Sequence, residues 1–284
     1  METEDTTAPS LAGEIAEYYG RDREDARLRA GTGRLEFWRT QDVLRRLLRP
    51  APVRILDVGG GSGVHAEWLA GDGHDVEVLD PVPLHVERAA RLPGVRARQG
   101  DARALAASDA SVDVALLLGP LYHLPERPDR IRALAEARRV VRPGGLVVAA
   151  TINRFAPLHD NLSTGLCFDA EHRPQIEAAV GDGRMRPTGR PKSLFTTAYF
   201  HEPVDVPAEF ADAGLTPQGQ YGLEGAAWLM GDIASWLDDP ERRPLVLAAM
   251  RRTESVPSLL GISGHVLTAG TRPAKGNGRQ TAEP

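Results

Sequence analysis

The order of apolar and polar stretches along the chain predicts strands that alternate with helices. Short runs of aliphatic and β-branched residues, which suit buried strands, are separated by longer segments with apolar residues at helical spacing. The predicted strands lie at 53–58, 75–79, 95–99, 112–118 and 146–151, followed by a final antiparallel pair at 215–223 and 264–269. This pattern predicts an α/β fold with a mostly parallel sheet of seven strands.

Amphipathic segments between and beside these strands predict the helices. Proline and glycine residues set several of their ends, as at Pro50 before the first strand and at Pro143–Gly145 after the helix near residue 141. The predicted helices lie at 11–19, 35–48, 64–69, 83–91, 129–141, 170–180, 206–213, 228–237 and 245–252. Two or three helices are therefore expected before the first strand.

Composition narrows the class of protein. The 284 residues are 42% hydrophobic and 26% charged with a net charge of −5, which fits a soluble globule and argues against a nucleic-acid surface. A single cysteine, Cys167, excludes a disulfide framework and a thiolate metal site, and no metal is expected. The sequence contains neither a membrane-length apolar run nor a signal-peptide pattern, so a cytoplasmic protein without a membrane partner is expected.

A glycine-rich turn follows the first strand. Asp57 precedes Gly59, Gly61 and Gly63, which give the turn freedom to adopt positive φ and let a ligand approach the backbone. A dinucleotide fingerprint requires glycine where this chain has Val64, which disfavours a nicotinamide-dependent dehydrogenase. Glycines that only make a sharp strand-to-helix turn are the alternative.

Two acids stand at the ends of the next strands. Asp80 ends the second strand, where a carboxylate reaches the hydroxyls of a ribose; capping of the helix that Pro81 and Pro83 begin is the alternative. Asp101 follows the third strand in the segment Gly100–Ala102, and a plain surface turn is the alternative there. Both acids fall at the edge of the sheet where open α/β folds bind ligands.

These segments together resemble the class I S-adenosylmethionine (SAM)-dependent methyltransferases. The run Leu56–Gly63 matches the family's LDxGxGxG motif, and Arg139–Val148 is similar to its R-x-L-x-P-G-G segment. The resemblance covers about residues 53–152 and is nearest to the UbiE-like (type 11) small-molecule branch, as found in actinobacterial enzymes. It implies the Rossmann-like methyltransferase sheet, SAM as cofactor and S-adenosylhomocysteine (SAH) as product.

The resemblance also implies roles for individual residues. The acid of the second strand binds the ribose, Asp101 and Ala102 meet the adenine, and Arg39 and Tyr19 are candidates for the methionyl end. The full set of expected cofactor residues is Tyr19, Arg39, Asp57, Gly59, Gly60, Gly61, Gly63, Asp80, Pro81, Asp101, Ala102, Leu118 and Gly119. The candidate catalytic residues are His123, His201 and Tyr122, and the candidate substrate contacts are Tyr122, Arg154, Phe155, Tyr199 and Trp228. The alternatives are a structural role for His123, core packing for Trp228 and an exposed position for Arg39.

The expected organisation follows the same family. It comprises an N-terminal helical lid (1–50), a SAM-binding core (51–152), a helical cap insertion (153–200), a C-terminal part of the core (201–271) and a disordered tail (272–284). The predicted function is transfer of methyl to O, N or C of a small molecule. The alternative is a protein that binds SAM without transferring methyl. The net negative charge disfavours methylation of a nucleic acid. A homodimer is possible.

Overall fold

A seven-stranded sheet is the centre of the protein in a computed structural model, which describes residues 27–185 and 196–274. In chain order the described strands are β1 (Arg54–Val58), β2 (Asp75–Asp80), β3 (Val95–Gln99), β4 (Val112–Leu117), β5 (Val141–Ile152), β6 (Arg184–Met185), β7 (Ala198–Tyr199), β8 (Thr216–Gly222) and β9 (His265–Thr271). The sheet has the order β3-β2-β1-β4-β5-β9-β8, while β6 and β7 form a separate hairpin.

Strand direction follows the prediction. β1 to β5 are parallel, whereas β9 pairs antiparallel with both β5 and β8. The predicted sheet of seven mostly parallel strands with a final antiparallel pair is therefore confirmed. The carboxyl ends of β1, β2, β3 and β4 meet at one edge, and the loops that follow them form the candidate site.

Helices cover both faces of the sheet. The described α-helices are α1 (Gly33–Leu47), α2 (Val64–Gly71), α3 (Pro83–Ala89), α4 (Arg127–Val140), α5 (Ala156–Thr164), α6 (Arg173–Asp182), α7 (Val206–Asp212), α8 (Ile233–Asp238), α9 (Arg242–Thr253) and α10 (Pro257–Leu260). One core contains Ile55 with residues of α1, α2 and α3; the other contains Leu56 with residues of α4 and α7. Successive residues of β1 thus enter opposite layers.

Several elements differ from the prediction. β5 begins at Val141 rather than 146 because Val141 already pairs with Val112, and the Pro-Gly-Gly segment lies within the bulge that follows this pair. The helix predicted at 228–237 is broken into a 3-10 turn (Ala227–Leu229) and α8, with Gly231 between them. In the cap, α5 and the β6–β7 hairpin are additions to the predicted elements.

Some predictions fall outside the described residues. They are Tyr19 with the helix predicted at 11–19, a central part of the cap loop (186–195) and the tail from residue 275 onward. Within the described ranges, no helix combines the length and apolar character needed to cross a membrane.

Candidate active site

A cavity opens at the carboxyl edge of the sheet, beside β1, β2 and β4. Twelve of the residues that the sequence singled out line it. They are Asp57, Gly59, Gly60, Gly61, Asp80, Pro81, Asp101, Ala102, Leu118, Gly119, Tyr122 and His123. The loops after β1, β2, β3 and β4 therefore contribute to a common wall, as their strand order requires.

The glycine turn gives this wall a stretch of bare backbone. Gly59, Gly61 and Gly63 have φ of +68°, +59° and +93°, values that glycine adopts without the strain of a Cβ. A Cβ on Gly61 would meet nothing within 4 Å, so this residue backs onto open space. A Cβ on Gly63 would lie 2.6 Å from Leu92 Cδ1, so Gly63 serves packing and does not line the cavity.

Asp57 is an uncompensated carboxylate beneath that turn. Its side chain is 0% exposed, and neither oxygen has a hydrogen-bond partner among the described residues. Burial, together with the negative charge of Asp80, raises the pKa of Asp57 to about 7. A buried acid without partners in a ligand-sized cavity indicates a polar ligand at this position.

Asp80 joins the glycine turn to the loop after β2. Its Oδ2 accepts a hydrogen bond from the Gly61 amide at 2.9 Å, and its Oδ1 accepts one from the Val82 amide at 2.9 Å. Nδ1 of His85 lies 3.0 Å from the same Oδ1. The carboxylate that is expected to bind ribose is thus held in a fixed orientation in the cavity wall.

Asp101 forms a tight pair with Arg103. The Arg103 amide donates to Asp101 Oδ1 at 2.8 Å, and its guanidinium lies 2.7 Å from Oδ2. The hydrogen bond from this guanidinium holds the pKa of Asp101 below its usual range. Arg103 also bonds Asp129 on α4 at 3.0 Å, which anchors the loop against the helix layer. Asp101 therefore stabilises a local turn and also lines the cavity.

Tyr122 and His123 come from a 3-10 turn, Pro120–His123, that follows β4. Their ring centroids are 4.7 Å apart. A Cβ on Gly119 would lie 3.5 Å from the Tyr122 hydroxyl and 3.4 Å from the Gly59 carbonyl oxygen, so this hydroxyl is beside the glycine turn. Two side chains capable of proton transfer or hydrogen bonding thus adjoin the expected cofactor wall.

The predicted catalytic residue His201 lies elsewhere in the described structure. Its ring is buried outside the cavity wall, and Nε2 is 3.6 Å from Glu209 Oε2. Glu209 in turn accepts two hydrogen bonds from Arg130, at 3.0 and 2.7 Å. Burial lowers the pKa of His201 despite the neighbouring carboxylate. This group is a buried ion-pair network that ties α4 to α7.

The remaining predicted substrate contacts also lie outside the cavity wall of the described residues. The Arg130 guanidinium covers the Tyr199 ring at 3.9 Å, and Arg154 donates to the Tyr199 hydroxyl at 3.4 Å. The Trp228 indole donates to a backbone carbonyl at residue 262 over 3.0 Å. Phe155 is 38% exposed. Of the predicted substrate contacts, the structure brings only Tyr122 into the described wall.

Arg39, a predicted cofactor residue, also lies outside the described cavity wall. It is 0% exposed, donates to the Leu223 carbonyl at 3.2 Å and forms ion pairs with Asp42 and Glu254. Its role is to fasten α1 to the segment after α9. The charged α1 residue in the cavity wall is instead Glu36, three positions earlier.

Sequence reasoning missed several wall residues, notably Glu36, His65, His85 and Arg103. A signal was available for the two histidines. His65 follows the glycine turn by two residues and His85 lies in the first turn of α3, and helices that begin at this edge direct their first residues toward the cleft. No comparable signal exists for Glu36, because the facing side of α1 depends on packing.

Glu36 belongs to a charged cluster with Glu224 and His265, whose potential ligand atoms lie within 4.8 Å of one another. Glu224 Oε1 is 2.6 Å from His265 Nδ1, and Oε2 accepts from the Ser263 hydroxyl at 2.8 Å. Burial alone would lower the pKa of His265, but the charges of Glu36 and Glu224 raise it to about 9. His265 thus lies between Glu224 and Glu36, and Glu36 also accepts a hydrogen bond from Arg27 at 2.7 Å, so these contacts hold Glu36 at the cavity wall.

The donor and acceptor set of the cavity fits SAM. Asp57 supplies buried acceptors without a partner, Asp80 presents a carboxylate for a ribose, and Gly61 leaves backbone uncovered. Apolar groups such as Leu79, Leu118 and Val82 complete the wall, as a ligand with an aromatic base requires.

Comparison with known proteins agrees with this geometry. Residues 55–145 match a family described as methyltransferase domain. A ubiquinone biosynthesis O-methyltransferase of Methylocella silvestris is 34% identical over 125 residues, which are 41% of this chain and 48% of that relative. The chain thus spans about half the length of that relative.

A longer match and a solved structure extend the comparison. A probable S-adenosylmethionine-dependent methyltransferase of Mycolicibacterium smegmatis is 34% identical over 210 residues, 70% of this chain and 77% of the relative. A SAM-dependent methyltransferase structure from Methanosarcina mazei shares the fold, with a TM-score of 0.56, 17% identity and coverage of 82% of this chain and 98% of that one. The chain belongs to the S-adenosylmethionine-dependent methyltransferases.

Proposed function

We propose that this chain transfers the methyl group of SAM to an oxygen, nitrogen or carbon atom of a small molecule bound beside Tyr122 and His123. The observation that carries the proposal is their position: both side chains line the same cavity as the glycine turn and Asp80. A methyl donor on that turn and an acceptor beside these rings would share one enclosed space. Proximity and orientation of this kind lower the barrier by about 7–11 kcal/mol at best.

We assign cofactor contacts to the described wall residues. Asp80 would accept from the ribose, Asp101 and Ala102 would meet the adenine, and the turn at Gly59–Gly61 would lie against the methionyl part. When bound, SAM supplies a methyl group already activated on a sulfonium. Since no further activation of that group is required, the protein's contribution is to align the acceptor and to exclude water.

His123 is our candidate for the proton acceptor when the substrate is a hydroxyl or a protonated amine. It lies in the cavity wall, and an imidazole is suited to proton transfer near neutral pH. Tyr122 would orient the acceptor through its hydroxyl. Leu121 within the turn and Leu124 directly after it are buried in the core that contains residues of α4, which anchors this segment. The cap that begins at Asn153 is proposed to set substrate choice.

The experiment is a measurement of SAH formation with a panel of acceptors. Because the match to a ubiquinone biosynthesis O-methyltransferase gives one chemical starting point, the panel begins with phenols and quinols and continues with amines and carbon acids. Transfer RNA and a protein mixture serve as separate arms. The proposal predicts SAH in at least one small-molecule arm, abolished by Gly61→Val.

Product formed only with RNA or protein would contradict the small-molecule assignment. SAM binding by folded protein with no product in any arm would instead favour the alternative of a SAM-binding protein without transfer. Light scattering at the assay concentration tests whether the chain forms a homodimer.

A further inference from the structure

Asp80 and His85 form a buried side-chain pair in the wall of the cavity. Nδ1 of His85 lies 3.0 Å from Oδ1 of Asp80. His85 is 8% exposed and Asp80 is 4% exposed. His85 is in the first turn of α3, whereas Asp80 ends β2, so the contact joins the strand to the next helix. Both residues line the cavity itself.

Counting the acceptor positions of Asp80 shows what this contact does. A carboxylate has about four such positions, and buried ones cost free energy when left unfilled. Oδ1 accepts from the Val82 amide and faces His85, while Oδ2 accepts from the Gly61 amide. With a proton on Nδ1 of His85, Oδ1 has two donors, and the acceptor capacity that the described residues leave open lies on Oδ2.

We propose that His85 is a positioning residue for ribose recognition. Its Nδ1–H donates to Oδ1 and keeps the Asp80 carboxylate oriented, with the open acceptor on Oδ2 directed at a ribose hydroxyl. The proposal rests on the assignment of Asp80 to the ribose. His85 acts through Asp80, so its effect on affinity depends on the ligand having hydroxyl groups.

The experiment is a cycle of variants and ligands measured by calorimetry. SAH and its 2′,3′-dideoxyribose analogue are titrated into the wild-type chain and His85→Phe, with folding checked by thermal melting. We expect His85→Phe to weaken the binding of SAH about tenfold, which is the scale of a hydrogen bond to a charged group. The same variant should weaken the binding of the dideoxy analogue by less than about twofold. His85→Asn should recover much of the loss, because its amide can donate from nearly the position of Nδ1.

His65→Phe is the matched control, since His65 is also a buried wall histidine and contacts Trp68 rather than Asp80. Any loss it causes should be the same for both ligands. Equal losses for both ligands in His85→Phe, or no loss at all, would overturn the positioning role. Absence of SAH binding by the wild type would instead contradict the assignment of the cofactor cavity.

Discussion

The carboxylate of Asp57 lies directly beneath Gly60, so closely that a Cβ on Gly60 would be 2.5 Å from Asp57 Oδ2. Asp57, the second-last residue of β1, is therefore a buried acid packed closely against the backbone of the turn. Replacing this glycine would force either the turn or the acid to move, and the acid has no exposed surface into which it can turn. Asp57 and Gly60 thus pack tightly together, and each limits the side chain or conformation that the other position can adopt.

The raised pKa of Asp57 predicts a pH-dependent stability. Between the ordinary carboxyl pKa of about 4 and the folded value of about 7, the folded state keeps a proton that the unfolded state has lost. This group therefore makes the free energy of unfolding fall as pH rises through that window. Asp57→Asn should remove the penalty, which is about 1.4 kcal/mol for each pH unit that separates the folded pKa from the unfolded one.

Denaturant unfolding of the ligand-free chain from pH 5 to 8 measures this effect. The stability gain of Asp57→Asn over the wild type should grow with pH and level off above about pH 7. A gain, or a loss, that stays constant across the window would show that Asp57 does not titrate there.

Gly61 is expected to be the turn position at which a side chain most directly blocks the ligand. Gly61→Val should weaken SAH binding at least about tenfold, because the added side chain would enter the cavity. Gly31→Val is the matched control: Gly31 has φ of +53°, a Cβ there would meet nothing within 4 Å, and the residue lies outside the cavity wall. If both variants lose affinity equally, backbone strain rather than occlusion is responsible.

Asp80 should contribute to affinity through its charge. Asp80→Asn is expected to weaken SAH binding about 10- to 100-fold, the range for a hydrogen bond to an ionised group. Asp75, at the other end of β2, pairs with Arg96 at 2.7 Å on the surface, and Asp75→Asn should leave affinity within about twofold. Calorimetric titration of SAH into both variants measures these effects. If Asp80→Asn and Asp75→Asn bind SAH with the same affinity, the assignment of Asp80 to the ribose is wrong.

Alanine variants of His123 and His201 should have different effects, one on catalysis and the other on stability. With an acceptor identified, His123→Ala should lower kcat about 100-fold if it takes the proton, with SAH affinity unchanged. His201→Ala should instead lower the free energy of unfolding by about 2 kcal/mol, because it leaves a cavity beside Glu209. Normal turnover in His123→Ala would reduce that residue to packing.

Arg39 should affect stability and not cofactor affinity. Arg39→Met removes a fully buried guanidinium from Glu254, which keeps its two hydrogen bonds from Arg46 at 2.8 and 2.7 Å, so the free energy of unfolding should fall by about 1–3 kcal/mol. SAH affinity, measured at a temperature where the variant is folded, should match the wild type. A selective loss of SAH affinity would place Arg39 at the methionyl end of the cofactor after all.

The sequence was sufficient to predict the strands of the sheet and the site residues that lie at the ends of those strands. Asp57, Asp80 and Asp101 each lie at or near the carboxyl end of a short predicted strand, and parallel strands bring such residues to one edge of the sheet. Spacing along the chain therefore determined their position before any packing was known.

Residues on helices and in the cap could not be placed in this way. Whether Arg39 or Glu36 faces the cavity depends on how α1 is rotated against β9 and α9, contacts that join residues about 200 positions apart. His201 follows a strand-like segment, yet Glu209 and Arg130 on other elements keep it buried. Such long-range pairings leave no local signal in the sequence.

Calorimetric titration of SAH into the folded chain most directly tests the central claim, that this cavity binds the cofactor. The structure predicts one site per chain, affinity lost in Gly61→Val, and affinity retained in Gly31→Val. A folded wild-type chain that takes up neither SAH nor SAM would contradict the assignment of this cavity and the methyl-transfer function built on it.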